Sequence, residues 1–378
     1  MTRPLRVVVA SDAVGPLDSW QAGVAIARGW AEHAQVAVVP LADGGPSLGH
    51  ALGALLGGEP VVTDQGWWLR AGDTLAVGVE IPAFAGTTEK PGMTETTEKP
   101  GTTEKGEPGW DPSDSSAGYG AWLASCLEAG PAPARLILDL TGVTALDGGA
   151  GLLAALGATA TGDLTAGLAG LTTVGEVTLP SSSPRRRGSH AHAPTEVIGV
   201  IDADETQLVL LGLQGAVSRR GFAVRLDPAE LLAAEAAMAG WLGALGVSDG
   251  PGIGAAGGAA AAVASLGGRV LSGNQLCAEL AGLERTLRQA DLVVTGCTAF
   301  HIGNRGGRVV RFVADLATDA MRPCLVIAQE SSLSRREMRT FGVEAAHACE
   351  PGPLPETLTA AAVRVAQGWT GAASHRVD

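Results

Sequence analysis

Short apolar runs alternate with amphipathic stretches at both ends of the chain, and this rhythm constrains the fold more than any other feature. LRVVVAS (5–11) is rich in β-branched residues and suits a parallel strand buried on both faces. LDSWQAGVAIARGWAEH follows, with Leu17, Trp20, Val24, Ala27 and Ala31 on one helical face. QVAVVPLAD then reads as a strand and PSLGHALGALLGG as a helix. The last third repeats the pattern: helix NQLCAELAGLERTLRQA, strand DLVVTG, helix GGRVVRFVADLATDA, strand PCLVIAQ, helix SRREMRTFG, weaker strand VEAAHAC and helix LPETLTAAAVRVAQGW. Such alternation demands crossover connections, which build a mostly parallel sheet covered by helices on both faces.

The middle breaks this rhythm. Strand-like pieces crowd together there (EPVVTD, WWLRAG, TLAVGVEI, ARLILDLTG, TEVIGVID and TQLVLLG), and helices are fewer. Two α/β domains are therefore expected. One is a doubly wound, Rossmann- or flavodoxin-like domain built from residues 1–58 and 270–378. The other is inserted into it over residues 59–269. Two stretches carry too little apolar surface to offset their ordering entropy and are expected as flexible surface loops. Residues 81–109 repeat TTEK at Thr87, Thr96 and Thr102, and residues 181–194 read SSSPRRRGSHAHAP. Both look like repeat elements translated in frame, which makes Arg185 to Arg187, His190 and His192 passengers; the competing reading is an RNA-binding patch or a metal site.

A formal net charge of −13 speaks against a general nucleic-acid binder, which needs a basic face for phosphates. Gly, Pro or charge interrupts every apolar run before membrane-spanning length, and the opening MTRPLRVVVASD lacks the long apolar region of a signal peptide. The five scattered cysteines show no metal-ligand spacing, which fits a reduced, cytoplasmic setting. Nothing in the sequence fixes an oligomeric state.

Three places share one design, a glycine turn running into an Ala/Leu-rich helix: ADGGPSLGHALGALLGG, LDGGAGLLAALG and PGIGAAGGAAAAVASLGG. Asp43 and Asp147 can each cap the following helix, while Gly44, Gly45, Gly148 and Gly149 permit positive φ and close approach of a ligand. Helix N-termini after such turns favour anions, and capping with tight packing is the competing explanation. Gly252, Gly254 and Gly257 also spell a literal G-x-G-x-x-G, followed by Gly258. A helix, not a strand, precedes it, so the dinucleotide-binding reading fails on context.

Five segments together resemble the glycerate kinase family, the bacterial type that phosphorylates glycerate with ATP. SDAVGPLDSWQAGVAIARGW resembles the family's opening D-S-F-K-G-S-L segment, and VPLADGG its P-M-A-D-G-G. DLTGVTALDGGAGLLAALG is similar to G-L-G-G-S-A-T-N-D-G-G-A-G-x-x-x-A-L-G, and PGIGAAGG to P-G-A-G-A-A-G-G. ADLVVTG matches the strand leading into T-G-E-G-x-x-D. The resemblance spans nearly the whole chain outside the two loops. It implies two α/β domains with one inserted in the other, and in-line phosphoryl transfer in a cleft between them. ATP and Mg²⁺ would be the cofactors, a nucleotide and a small hydroxy acid the partners.

Departures from the family pattern are concentrated in polar positions. Val14 replaces a Lys, Pro46, Ser47 and Leu48 replace E-G-T, and Val143, Ala145 and Leu146 replace Ser, Thr and Asn. TGCTAFH puts Cys297 and His301 where the family has carboxylates, and Arg308 where it has Lys. What the resemblance leaves as candidate catalytic groups is Asp43, Asp147 and His301, with Asp12 one position from the family's first Asp. The candidate cofactor-binding set is Gly44, Gly45, Gly148, Gly149, Gly252, Gly254, Gly257, Gly258, Gly296 and Arg308, with Arg305 a second cation for an anion. The rival to a kinase is a non-catalytic or vestigial member that binds a small anion.

Overall fold

The computed structural model describes residues 4–79, 111–179 and 194–374. The loops expected at 81–109 and 181–194, Pro194 apart, lie outside the described residues, as do Arg185 to Arg187, His190 and His192. In chain order the elements are β1 (Leu5–Ser11), α1 (Ser19–Trp30), β2 (Ala34–Pro40), α2 (Gly45–Leu56), β3 (Val61–Val62), β4 (Gly66–Ala71), β5 (Thr74–Val79), α3 (Ala117–Glu128), β6 (Arg135–Asp139) and α4 (Ala150–Ala155). They continue as β7 (Thr159–Ala160), α5 (Gly167–Leu171), β8 (Val177–Thr178), β9 (Glu196–Ile201), α6 (Ala216–Ala223), α7 (Pro228–Leu245), α8 (Ala259–Ser265), β10 (Arg269–Ser272) and α9 (Gly273–Ala281). The last are α10 (Leu283–Gln289), β11 (Leu292–Phe300), α11 (Gly307–Asp319), β12 (Cys324–Ser331), α12 (Arg335–Thr340), β13 (Ala345–Ala348) and α13 (Glu356–Ser374).

The chain divides into two compact units, one of Met1–Asp43, Ser47–Glu59 and Gly273–Asp378, the other of Gly44–Pro46 and Pro60–Ser272. The first unit holds an all-parallel sheet in the order β2-β1-β11-β12-β13. Val7, Val9, Val294 and Ile327 face Ile26 and Trp30 of α1 and Leu358 and Ala362 of α13. Gly29 lets those two helices close, because a Cβ there would sit 2.5 Å from the Ala362 Cβ. Helices α9, α10 and α11 also pack on this sheet. Chain order reverses between β1 and β11, and open α/β sheets of this kind bind ligands outside the strand carboxyl ends at such a switch point.

The second unit has a mixed sheet, β10-β9-β6-β5-β4-β3, parallel from β10 to β5 and antiparallel at β4 and β3. Its core joins Leu75, Val77 and Leu138 of the sheet to Leu123 of α3, Leu152 of α4, Trp241 of α7 and Ala260 of α8. β7 and β8 form a separate small antiparallel pair.

Two segments depart from the sequence expectation. NQLCAELAGLERTLRQA is two helices, because Gly282 takes a left-handed φ of 62° and ends α9. TQLVLLG forms no strand. Its backbone is satisfied locally: the Asp249 carboxylate accepts from the Leu210 and Leu211 N–H groups, and Leu208 O accepts from Gly254 N–H.

Candidate active site

The carboxyl edge of the first sheet gathers the charged groups. Ser11 ends β1 fully buried, and its hydroxyl donates to Asp12 O at 2.8 Å. Gly296 on neighbouring β11 is required by that closeness, since a Cβ there would lie 2.5 Å from Ser11 Oγ. The missing side chain leaves room there for the Ser11 hydroxyl and for Ile26 of α1. The half-buried Asp12 follows. Its Oδ1 accepts the Ala13 N–H at 2.7 Å, and Oδ2 has no partner among the described residues. Burial pushes the Asp12 carboxyl up to about 6, against the opposing pull of the Ala13 N–H.

Asp43 lies three residues beyond β2 and is also half-buried. Asn274, in the first turn of α9, donates its Nδ2 to Asp43 Oδ1 at 3.2 Å, and Arg308 Nη1 stands 3.3 Å from Asp43 Oδ2. Asn274 is buried, and its Oδ1 accepts no hydrogen bond among the described residues. Gly273 allows this contact, because a Cβ there would sit 2.5 Å from the carbonyl oxygens of Ala42 and Asp43.

Arg308 is carried by α11, which opens on two left-handed glycines, Gly306 (φ 79°) and Gly307 (φ 84°), without a side-chain cap. The turn before it is tied internally. Asn304 Oδ1 accepts from the His301 and Gly306 N–H groups, and His301 Nδ1 accepts from the Gly303 N–H at 3.2 Å. His301 is exposed there. Arg305 stacks over the Phe341 ring at 4.6 Å. Cys297 is buried beside Asp12, and burial raises its thiol to about 12, so it stays neutral and inert.

The glycine turns of the second unit behave differently. The Asp147 carboxylate is fully buried and accepts five hydrogen bonds, from the N–H groups of Ser116, Gly149 and Gly151 and the hydroxyls of Ser115 and Ser116. Gly148 N–H donates to Gly257 O at 3.1 Å, and a Cβ on Gly258 would lie 3.0 Å from Gly148 Cα. Gly257 abuts the Ala145 carbonyl, Gly254 the Val209 carbonyl and Gly148 the Trp241 indole, each too close for any side chain. Gly252, Gly254, Gly257 and Gly258 are all buried. LDGG and PGIGAAGG thus lock onto each other as backbone packing. With five donors and full burial, Asp147 anchors the start of α4.

At ADGG the cap assigned from sequence to Asp43 is filled by Asp139, whose Oδ2 accepts the Gly45 N–H at 2.6 Å while Oδ1 accepts from Thr141. Burial raises the Asp139 carboxyl. Gly44 must be glycine because Thr141 crowds it.

The glycerate kinase family profile matches residues 7–375. The chain belongs to the glycerate kinase family. It is 27% identical over 336 residues to the glycerate 2-kinase of Escherichia coli, covering 86% of this chain and 85% of that one. An uncharacterized protein of Mycobacterium bovis is 30% identical over 369 residues, covering 90% of this chain and 83% of the relative. The crystal structure of a putative glycerate kinase 2 from Salmonella typhimurium LT2 has the same fold, with a TM-score of 0.68, 22% identity, and coverage of 98% of this chain and 100% of that one. Membership suggests kinase activity on glycerate-like substrates, and the two-domain α/β fold is the family's.

Within the glycerate kinase framework, Mg²⁺ is the metal to test against these residues. Among the described residues no three His, Cys, Asp or Glu side chains cluster as a metal site. Mg²⁺ needs only one or two carboxylates when phosphate oxygens and water complete its shell. Asp43 is a carboxylate of this edge, with Asn274 on Oδ1 and Arg308 beside Oδ2. No helix among the described residues is long and apolar enough to cross a membrane.

Proposed function

We propose that the protein transfers the γ-phosphoryl group of ATP to a hydroxyl of glycerate or a similar small hydroxy acid. The observation that carries this reading is the group Asp12, Asp43, Asn274 and Arg308 at the carboxyl edge of the first sheet. Mg-ATP would supply the phosphoryl group and the neutralising metal charge. Arg308 and the uncapped start of α11 offer positive charge and N–H dipoles to phosphate oxygens. Asp43, oriented by Asn274, would hold the metal.

The loss of family carboxylates at Cys297 and His301, and the full engagement of Asp147, favour a second reading in which the fold binds a small anion without turnover. One assay separates the two. Purified protein with Mg-ATP and D-glycerate should release ADP above a blank lacking the acceptor. A chain folded by circular dichroism that gives no ADP above that blank would leave only the binding reading.

A further inference from the structure

We propose that Asp12 is the general base that takes the proton of the acceptor hydroxyl through Oδ2; the proposal rests on the kinase reading above. Four observations converge on it. Asp12 leaves the carboxyl end of β1, beside the β1–β11 switch point where ligands of doubly wound sheets bind. One oxygen is fixed by the Ala13 N–H, which orients the carboxylate, and Oδ2 has no partner among the described residues. Gly307 lies beside Oδ2, since a Cβ there would stand 4.0 Å from that oxygen, an ordinary contact distance. Gly307 is also the first residue of α11, so a phosphate held by that helix start would lie next to the base.

The division between the two carboxylates supports the assignment. Asp43 is ion-paired with Arg308 and accepts from Asn274, which suits a group that stays anionic. Asp12 has no cation within ion-pairing distance among the described residues, and burial brings its carboxyl to about 6. A base must recover its free form at working pH yet be basic enough to accept a proton, and environments that separate two carboxylates mark such roles. The charged and titratable groups on the surrounding elements do not compete. Cys297 on β11 stays a neutral thiol, Arg308 on α11 turns to Asp43, and Arg305 stacks on Phe341. In the step itself the hydroxyl oxygen bonds to the γ-phosphorus as the bond from that phosphorus to the β,γ-bridging oxygen breaks. ADP departs, and the hydroxyl proton passes to Asp12.

The test compares wild type, Asp12→Asn and Asp12→Glu by ADP release as a function of pH, with thermal melting of the ligand-free proteins alongside. Wild-type kcat/KM should rise with pH through an apparent value near 6. Asp12→Asn should lower kcat about 100- to 10,000-fold with little change in the glycerate KM, and Asp12→Glu should recover part of it. The melting readout is independent of turnover. A folded Asp12 that keeps its proton up to about 6 binds protons the unfolded chain has already released, so its stability contribution falls as pH rises through that window. Asp12→Asn should then melt above wild type at neutral pH, and the gap should close in acid. Wild-type turnover with an Asp12→Asn variant of near-normal kcat would overturn the base assignment and leave the kinase reading standing. Absence of turnover in wild type itself would overturn both.

Discussion

One local sequence device serves opposite ends at two places in the chain. In each, an Asp stands beside paired glycines where a strand gives way to a helix. In the second unit Asp147 is surrounded by five donors and the glycines of LDGG and AAGG press backbone against backbone. In the first unit Asp43 stays half-buried, reaching side chains rather than its own helix start. A carboxylate with saturated hydrogen bonds and no exposure contributes to stability, because any loss strands buried donors. One held by a partly exposed Arg contributes little to stability. The glycine pattern alone does not tell these cases apart; what surrounds the turn does.

The sharpest way to break this comparison is to place a methyl group inside the locked turns. Gly257→Ala forces a side chain onto the Ala145 carbonyl at a left-handed φ of 65°. Strain and backbone displacement together should destabilise the second unit by on the order of 4 kcal/mol. Urea unfolding followed by circular dichroism reads this directly. A loss below about 1 kcal/mol would mean that the loop yields easily and that its glycines serve something other than packing.

Asp147→Ala is the next largest effect. It removes the acceptor of five hydrogen bonds in a fully buried place, and roughly 2–4 kcal/mol should be lost. The diagnostic is the split between stability and ligand binding. Titration calorimetry with glycerate should show unchanged affinity at a temperature where the variant is still folded. Affinity that collapses while the melting curve holds would return Asp147 to the site.

Much of the fold was legible because apolar periodicity is a local property. LRVVVAS, DLVVTG and PCLVIAQ became adjacent parallel strands, since each is buried on both faces and carries the pattern that burial demands. The family was legible because its glycine turns are short, contiguous and spread along the chain. The reading of LVLLG as a strand failed because Asp249, 39 residues from Leu210, satisfies its backbone instead. The site was less legible for the same reason. Asn274 touches Asp43 across 231 residues of sequence, and no motif announces it. Asp139 carried a faint signal, an Asp two residues before a Thr at a strand end, which is the spacing of a side-chain turn. His301 looked suited to acid–base work from residue type alone, yet the structure places it on an exposed turn with Nδ1 accepting a backbone N–H.

The smallest stability effect belongs to Arg308, and it sharpens the comparison from the other side. The Arg308 side chain is 42% exposed, and its Nη1 stands 3.3 Å from Asp43 Oδ2. Exposed pairs of this kind contribute about 0–1 kcal/mol, so Arg308→Met should melt close to wild type. If Arg308 faces phosphate oxygens, the same variant should lose roughly 10- to 100-fold in kcat/KM for the nucleotide, the equivalent of one or two charge-assisted hydrogen bonds. Arg308→Lys should fall between them, because an ammonium keeps the charge but not the planar fork. A stable Arg308→Met protein with unchanged nucleotide kinetics would show that the arginine serves only to neutralise Asp43. The first unit's turn would then be as structural as the second's, and the distinction between the two units would rest on Asp12 alone.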